Sequence, residues 1–578
     1  GEYGGLMLRI NHDSQEFQAT NVWPNNPLGH GVKDMKYRFQ WNYPLFFSSH
    51  NKERLYAFSN HVHYSDDFGN SWTTASPDLT TNDTTKQQTS GGPITKDNTA
   101  VEYYCTLFAA AEDVKNPQIM WTGSDDGRVH ISRDGLQSWT EVTPKDLPEF
   151  TQINCLEADP HTEGGVYLAG TRYKWGDFEP YLYYSNNFGK SWERIDKGIA
   201  RNHFTRAIRA DENKKGLIYV GTEYGMYASL NNGNTWETFQ QNLPMVPITD
   251  LAIKDRHLIA ATQGRSFWII DDLSPLYEME EEFSAKKHLF TPKPSYFTDG
   301  YQAGTSRTQG TNHPGGVILN YYLEELDSST EYTLTFSDAD GKVVRTYSNQ
   351  AKEKANKWEP KAGSHRFIWN LRTSSVSEVP GMILWWSMTR GPRVVPGEYT
   401  ATLSDGTYSQ TVPITLLKDP RITSSQEDLQ AQYDFLNEIK NNLDSINAVI
   451  LEIRSTREPL GKLLTQIEDS VLKTDIQKVL DDGDQIEKAL YQTQNKSPQD
   501  PLNFPIRLNN KYGHVGALAE VGNFRPTESM LGVKEELEIE INQQFILWEE
   551  TKSSLPSINR RARDLEIPYI QLGSQKTD

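Results

Sequence analysis

One motif, returning four times, constrains this chain more than any other feature. Its form is Ser-x-Asp/Asn-x-Gly-x-Ser/Thr-Trp. The copies are Ser65, Asp67, Gly69, Ser71 and Trp72; Ser132, Asp134, Ser138 and Trp139, with Leu136 in place of the glycine; Ser185, Asn187, Gly189, Ser191 and Trp192; and Ser229, Asn231, Gly233, Thr235 and Trp236. The tryptophans are 67, 53 and 44 residues apart, the span of one four-stranded sheet with loops of varying length. The chemistry of the motif is that of a turn. Asp or Asn accepts hydrogen bonds from backbone N–H groups a few residues on. Gly permits positive φ at the tip, Ser or Thr adds a second local bond, and Trp packs back over the turn. The motif therefore reads as a hairpin lock and not as a seat of catalysis.

Strands in a constant order precede each copy. An inner strand (155–160, 207–212) is followed by one that ends near Gly-Thr (120–127, 166–171, 218–225), and then by the strand that enters the motif. Residues 40–72 make a full unit, 258–273 repeat the second and third strands without the motif, and 4–24 look like part of an earlier unit. Units of this kind bury their faces only against one another. They predict a β-propeller of about five to six blades over residues 1–277, in a mainly β protein.

Composition excludes several partners. The 578 residues carry a formal net charge of −19, and 14 Trp and 28 Tyr are in keeping with a large strand content. Nucleic acid is a poor partner for such a chain, because phosphates need a concentrated basic surface. Anionic lipid is disfavoured for the same reason. No apolar run reaches the roughly 18 residues of a membrane-spanning helix. There is no HExxH, Gly-x-Ser-x-Gly or Walker-type loop, and neither a cofactor nor a metal is expected. His61 and His63 share a strand face and read as strand residues rather than metal ligands. Cys105 and Cys155 fall on inner strands of consecutive blades, so a disulfide and a pair of buried thiols both fit. The chain opens at Gly1 without a signal-peptide pattern, which reads as a mature or truncated N-terminus.

The pattern changes after the propeller. Residues 295–418 read as a β-sandwich, with strand candidates at 316–323, 330–348, 365–371 and 397–417 and hairpin turns at Asp338–Gly341 and Ser404–Gly406. Residues 424–570 read as an α-helical bundle. Ser424 with Glu427, and Ser425 with Asp428, each offer a capping box. Leu429, Leu436, Leu443 and Ile450 recur every seven residues, with Ile439, Ile446 and Ile453 three behind, and this seam favours an intramolecular hairpin over a dimer zipper. Further helices are expected over roughly 459–494, with a break at Asp481–Gly483, and over about 526–553 and 556–564.

Several long stretches now resemble a known family. They include 29–48 (GHGVKDMKYRFQWNYPLFFS), 76–83 (SPDLTTND), 90–104, 131–153, 271–276 (DDLSPL) and 381–403 (GMILWWSMTRGPRVVPGEYTATL). With them the chain resembles the bacterial sortilin-like propeller proteins, often labelled glycosyl hydrolases with neuraminidase-type Asp-box (BNR) repeats. The resemblance implies a ten-bladed propeller, of which this chain carries about the C-terminal half. It also implies an immunoglobulin-like sandwich, export to the periplasm or cell surface of a bacterium, and a peptide or protein partner. The missing N-terminal half would be a removed segment or a separate chain, and closure of six blades alone is the alternative.

The mouth of a propeller channel is its usual ligand site. Sequence position assigns Arg38, Glu102, Arg206 and Arg265 to it. The three arginines could grip a carboxylate as a sialidase trio does, guanidinium being a planar two-pronged donor. Equally, each could be paired with a strand-end carboxylate such as Asp211, Asp250 or Glu223. Glu102, Glu157, Asp159, Glu223 and Asp250 could supply the two carboxyls of a glycosidase, but no spacing selects two, and no Tyr–Glu nucleophile pair can be placed. Two functions remain: binding of a peptide or protein within a cell-envelope assembly, or hydrolysis of a glycan in the channel. Facing carboxylates in a sugar-sized cleft would favour the second. An aromatic and arginine-lined mouth without them would favour the first.

Overall fold

The computed structural model describes residues 3–92, 94–99, 101–279, 284–298, 310 and 312–567. The chain divides into two compact units, Gly1–Phe283 and Ser284–Asp578.

The first unit is a series of small antiparallel sheets, each with its strands in chain order. Four of them are four-stranded. They comprise Leu45–Phe47, Leu55–Phe58, Val62–Ser65 and Thr73–Thr74; Leu107–Glu112, Met120–Ser124, Val129–Ser132 and Thr140–Glu141; Gln152–Ala158, Val166–Arg172, Asp177–Ser185 and Glu193–Arg194; and Thr205–Ala210, Ile218–Thr222, Gly225–Ser229 and Glu237–Thr238. A three-stranded sheet follows (Ile248–Lys254, His257–Thr262, Phe267–Ile270), and a two-stranded one precedes (Leu8–Ile10, Phe17–Ala19). The first strands 107–112, 152–158, 205–210 and 248–254 lie side by side in that order, which is a propeller-like arrangement of blades. The second strands 120–124 and 218–222 are buried at every residue, because a blade covers each of their faces. Between blades the core interdigitates, as where Trp121 and Ile131 meet Leu156, Leu168 and Tyr183.

The four motif copies form turns of one geometry. Ser65 Oγ donates to Asp67 Oδ1 (2.7 Å) and accepts from the Gly69 N–H (2.7 Å), while Asp67 Oδ1 accepts from the Ser71 N–H (2.8 Å). The other copies repeat the pattern. Leu136 takes the left-handed backbone of the glycine it replaces, with φ of 72°. Each indole N–H then crosses to the preceding sheet: Trp72 to Thr20 O, Trp139 to Ala75 O, Trp192 to Val142 O and Trp236 to Ile195 O. Every acceptor sits one residue past an outermost strand. Since Thr20 holds that place after Phe17–Ala19, the two-stranded sheet is the outer edge of an earlier blade.

In the second unit two sheets face one core. The smaller holds Lys287–Leu289, Val317–Leu323 and Gly363–Trp369; the larger runs in the order Ser295–Phe297, Ser409–Lys418, Gly397–Ser404, Thr333–Asp338, Val343–Ser348. Leu319, Phe336, Trp369, Ala401 and Ile414 meet between them. Only 295–297 runs parallel to its neighbour among the described strands.

After the short helix α1 (Ser274–Glu278) of the first unit, five helices follow in the second: α2 (Gln426–Leu464), α3 (Ser470–Leu490), α4 (Leu508–Ala519), α5 (Glu528–Lys552) and α6 (Leu555–Asp564). Ser425 and Asp428 close the capping box of α2, and all seven seam residues are buried. Two expectations need correction. The helix expected from 459 does not start there, because α2 runs through Pro459 to bury Leu460 and Leu463 in a second cluster. Nor does α3 break at Asp481–Gly483. A Cβ at Gly483 would stand 3.4 Å from Ile453 and 3.6 Å from Trp548, ordinary contact distances, and the helix runs on through the glycine. The break falls at 465–469 instead, where Asp469 caps α3 by accepting from the Leu472 N–H. Helix α4 had no sequence counterpart. Residues 568–570 of the expected bundle lie outside the described residues. Among the described residues no helix is long and apolar enough to cross a membrane.

Candidate functional site

Chain direction sorts the loops of a blade onto two ends. In an antiparallel meander the hairpin between strands two and three lies at the end where strand one begins. The motif turn, between strands three and four, lies at the other. The register agrees, because Gln152 pairs with Thr171 and Thr205 with Thr222. The motif turns therefore occupy one mouth, and hairpins 124–129, 172–177, 222–225 and 262–267 the other.

This second mouth is an aromatic shelf. Phe150 stacks on Trp175 (5.4 Å between ring centres) and Tyr173 on Phe204 (5.2 Å), with Phe178 beside Phe204 and His203 beside Tyr224. Trp175, Phe178 and Tyr224 remain 53, 50 and 44 % exposed. Cations lie over the rings: Arg206 over Tyr173 and Phe204, and Lys86 over Phe150. Such contacts strengthen when water is displaced. A recess here, beside Tyr104, Asp125 and Lys174, encloses about 20 Å³, room for a water and not for a sugar ring.

The carboxylates of the mouth are already engaged. Asp125 is buried, accepts from both the N–H and the hydroxyl of Thr106 (2.9 and 2.7 Å), and is pushed up to about 7 by burial. Asp126 accepts from Thr81 and Ser124. Glu223 pairs with Arg206 at 2.6 Å, and Asp177 with Arg172 at 3.0 Å.

Deeper along the first strands a ladder joins three blades. Arg209 reaches Asp250 at 2.8 Å, Glu157 at 3.7 Å and the Cys155 sulfur at 2.8 Å. Burial raises Glu157 to about 7 and also lifts the Cys155 thiol. The guanidinium stands between the two carboxyls, where a glycosidic oxygen would have to sit.

The four residues assigned to the mouth by sequence position are not one constellation. Arg206 belongs to the shelf, paired with Glu223. Arg38 is buried, pairs with Asp78 and donates to Cys105 O, so it holds the loop ahead of strand 107–112. Glu102 accepts from the Thr99 hydroxyl. Arg265 sits exposed on the 262–267 hairpin, its guanidinium on Gly264 O. The disulfide alternative is set aside in this structure: Cys105 and Cys155 are both free and buried, the first beside the Thr81 hydroxyl and the second bound to Arg209. The rings of His61 and His63 are occupied by Ser76 O, and by the Ser59 and Thr74 hydroxyls. Sequence reasoning missed the shelf, although Tyr173-Lys-Trp175 in an expected hairpin was a visible signal.

No family model matches the chain. No curated protein matches it either. Among solved structures, a GH74 xyloglucanase of Xanthomonas campestris aligns at 12 % identity over 70 % of this chain and 62 % of its own, with a TM-score of 0.33. A GH74 enzyme of Niastella koreensis aligns at 13 % over 72 % and 62 %, again at 0.33. YCF48 of Cyanidioschyzon merolae aligns at 16 % over 38 % and 68 %, at 0.24. The chain thus spans under two thirds of either GH74 protein.

Proposed function

We propose that this chain is a binding protein, an exported bacterial propeller of the sortilin-like kind, that holds a peptide or protein segment on the shelf around Tyr173, Trp175, Phe204 and Arg206. The observation that carries this reading is the row of stacked rings with cations over them, on which Tyr173 and Trp175 stand open to solvent. A flat aromatic and arginine surface is what protein partners use as an anchor. Glycan hydrolysis is the weaker reading. Glu157 and Asp250 supply a high and an exposed carboxyl, but Arg209 fills the gap between them.

The ends of the blade series favour further blades. Leu8, Ile10 and Phe17 at one end, and Phe267 and Ile269 at the other, are 43–76 % exposed, as apolar faces are when their neighbour is absent. A missing half would cover both.

The test is a peptide-array screen of the full chain, followed by titration of the best peptide against Tyr173→Ala and Arg206→Ala. Loss of about tenfold in affinity with unchanged folding is expected. Unaltered binding, or release of sugar from a glycan panel that stops in Glu157→Gln, refutes the proposal.

A further inference from the structure

The second unit holds a cavity that the propeller reading does not use. It encloses about 540 Å³, within the range of small-molecule sites, roughly 300–1,000 Å³. Its walls come from the 385–395 segment, from α2 and from the 517–523 turn after α4. The 385–395 segment belongs to the distinctive 381–403 stretch of the sequence.

This segment is clamped. Trp385 and Asn510 exchange two hydrogen bonds of 2.7 Å, His514 Nδ1 bonds Trp386 O at 3.0 Å, and the Met388 N–H donates to Gly513 O at 2.8 Å. Within the clamp Trp386 adopts a left-handed backbone, φ 43°, and leaves its side chain 62 % exposed.

The charge at the cavity is opposite to that of the chain. Arg372, Arg390 and Arg393 face it with Glu520, against a net charge of −19 overall. Glu520 is taken by Arg372 at 2.7 Å, and Arg393 lies over the Phe297 ring at 3.9 Å. Arg390 is exposed and makes no ion pair among the described residues. A local excess of guanidinium in an acidic protein concentrates anions there, and the fork of Arg390 matches a carboxylate.

The apolar liners decide the rest of the ligand. Met388, Val394, Leu429 and Leu436 are each at most 4 % exposed, spent on the cores of the unit. What is left for a ligand is Trp386, Val521, the Tyr433 edge, arginine and polar groups. That surface suits a polar ring with one apolar face. We propose that the cavity binds a sugar acid, with a hexuronate ring on Trp386 and its carboxylate on Arg390. The inference is independent of the propeller shelf.

The probe is oligogalacturonate, titrated calorimetrically into the full chain, with its methyl ester as the neutral control. Saturable binding of the acid is expected, weakened about tenfold or more in the ester and in each of Trp386→Ala and Arg390→Gln. Both substitutions are at exposed positions, and circular dichroism verifies their folding. Absence of saturable binding overturns the proposal, as does equal affinity for the ester or indifference to both substitutions. Tighter binding of a peptide through its C-terminal carboxylate, lost in the same variants, overturns the sugar assignment.

Discussion

Asp125 offers the sharpest test of how the propeller mouth is held together. Its carboxyl is 3 % exposed, beside Asp126, and lies at about 7 in the fold against an ordinary 3.8. A raised acid is protonated more readily in the folded chain than in the unfolded one. Its contribution is therefore complete below pH 3.8 and is lost as pH rises through 7. A shift of about three units, at about 1.4 kcal/mol each, sets a ceiling of about 4 kcal/mol, of which roughly 2–3 kcal/mol falls between pH 5 and 8. Asp125→Asn keeps an acceptor for the Thr106 N–H and can donate to its hydroxyl, while removing the charge. Urea unfolding of the full chain, followed by circular dichroism at about pH 4, 6 and 8, should show the variant more stable than the parent by about 3 kcal/mol at the highest pH and within about 1 kcal/mol at the lowest. Parallel pH profiles for the two proteins would refute the buried-acid reasoning.

Three further outcomes are expected. Trp192→Phe removes the indole bond to Val142 O (2.7 Å) and should lower stability by about 1 kcal/mol, and Trp192→Ala by about 3 kcal/mol or more, in the same unfolding assay. Burial holds His63 down at about 3, so its imidazole NMR shifts should stay flat from about pH 8 to 5; its stabilisation is present above pH 6.5 and is lost progressively as pH falls from there through 3. Cys105 and Cys155 should both take up iodoacetamide after denaturation without reductant, and intact mass short of two adducts would contradict the free thiols.

The legible parts of the sequence were those where one residue type answers to one local need. Ser65, Asp67 and Gly69 could be read as a turn because the side-chain bonds that close it lie within seven residues. The α2 seam could be read because its period is that of a helix. The partners of Arg38 could not, since Asp78 and Cys105 reach it through loops whose course no periodicity records. Gly483 signalled a break, yet the helix runs through it, because burial of Ile476, Val479 and Ile486 on either side outweighs one glycine's low propensity. Helix α4 was hidden by Gly513 and Gly516, which lower helix propensity and here let the 385–395 segment approach, with a Cβ on Gly516 falling 2.8 Å from Met388 Sδ.

The four indole bonds also carry a direction in time. Each acceptor precedes its tryptophan in the chain, by 52, 64, 50 and 41 residues. A ribosome that has released Trp192 has long since released Val142, so each seam can be fastened without waiting for any later segment. Shortening the propeller from its far end would leave the earlier seams shut. Removal of the chain through Thr20 would strip Trp72 of its acceptor, while the three later indoles would keep theirs.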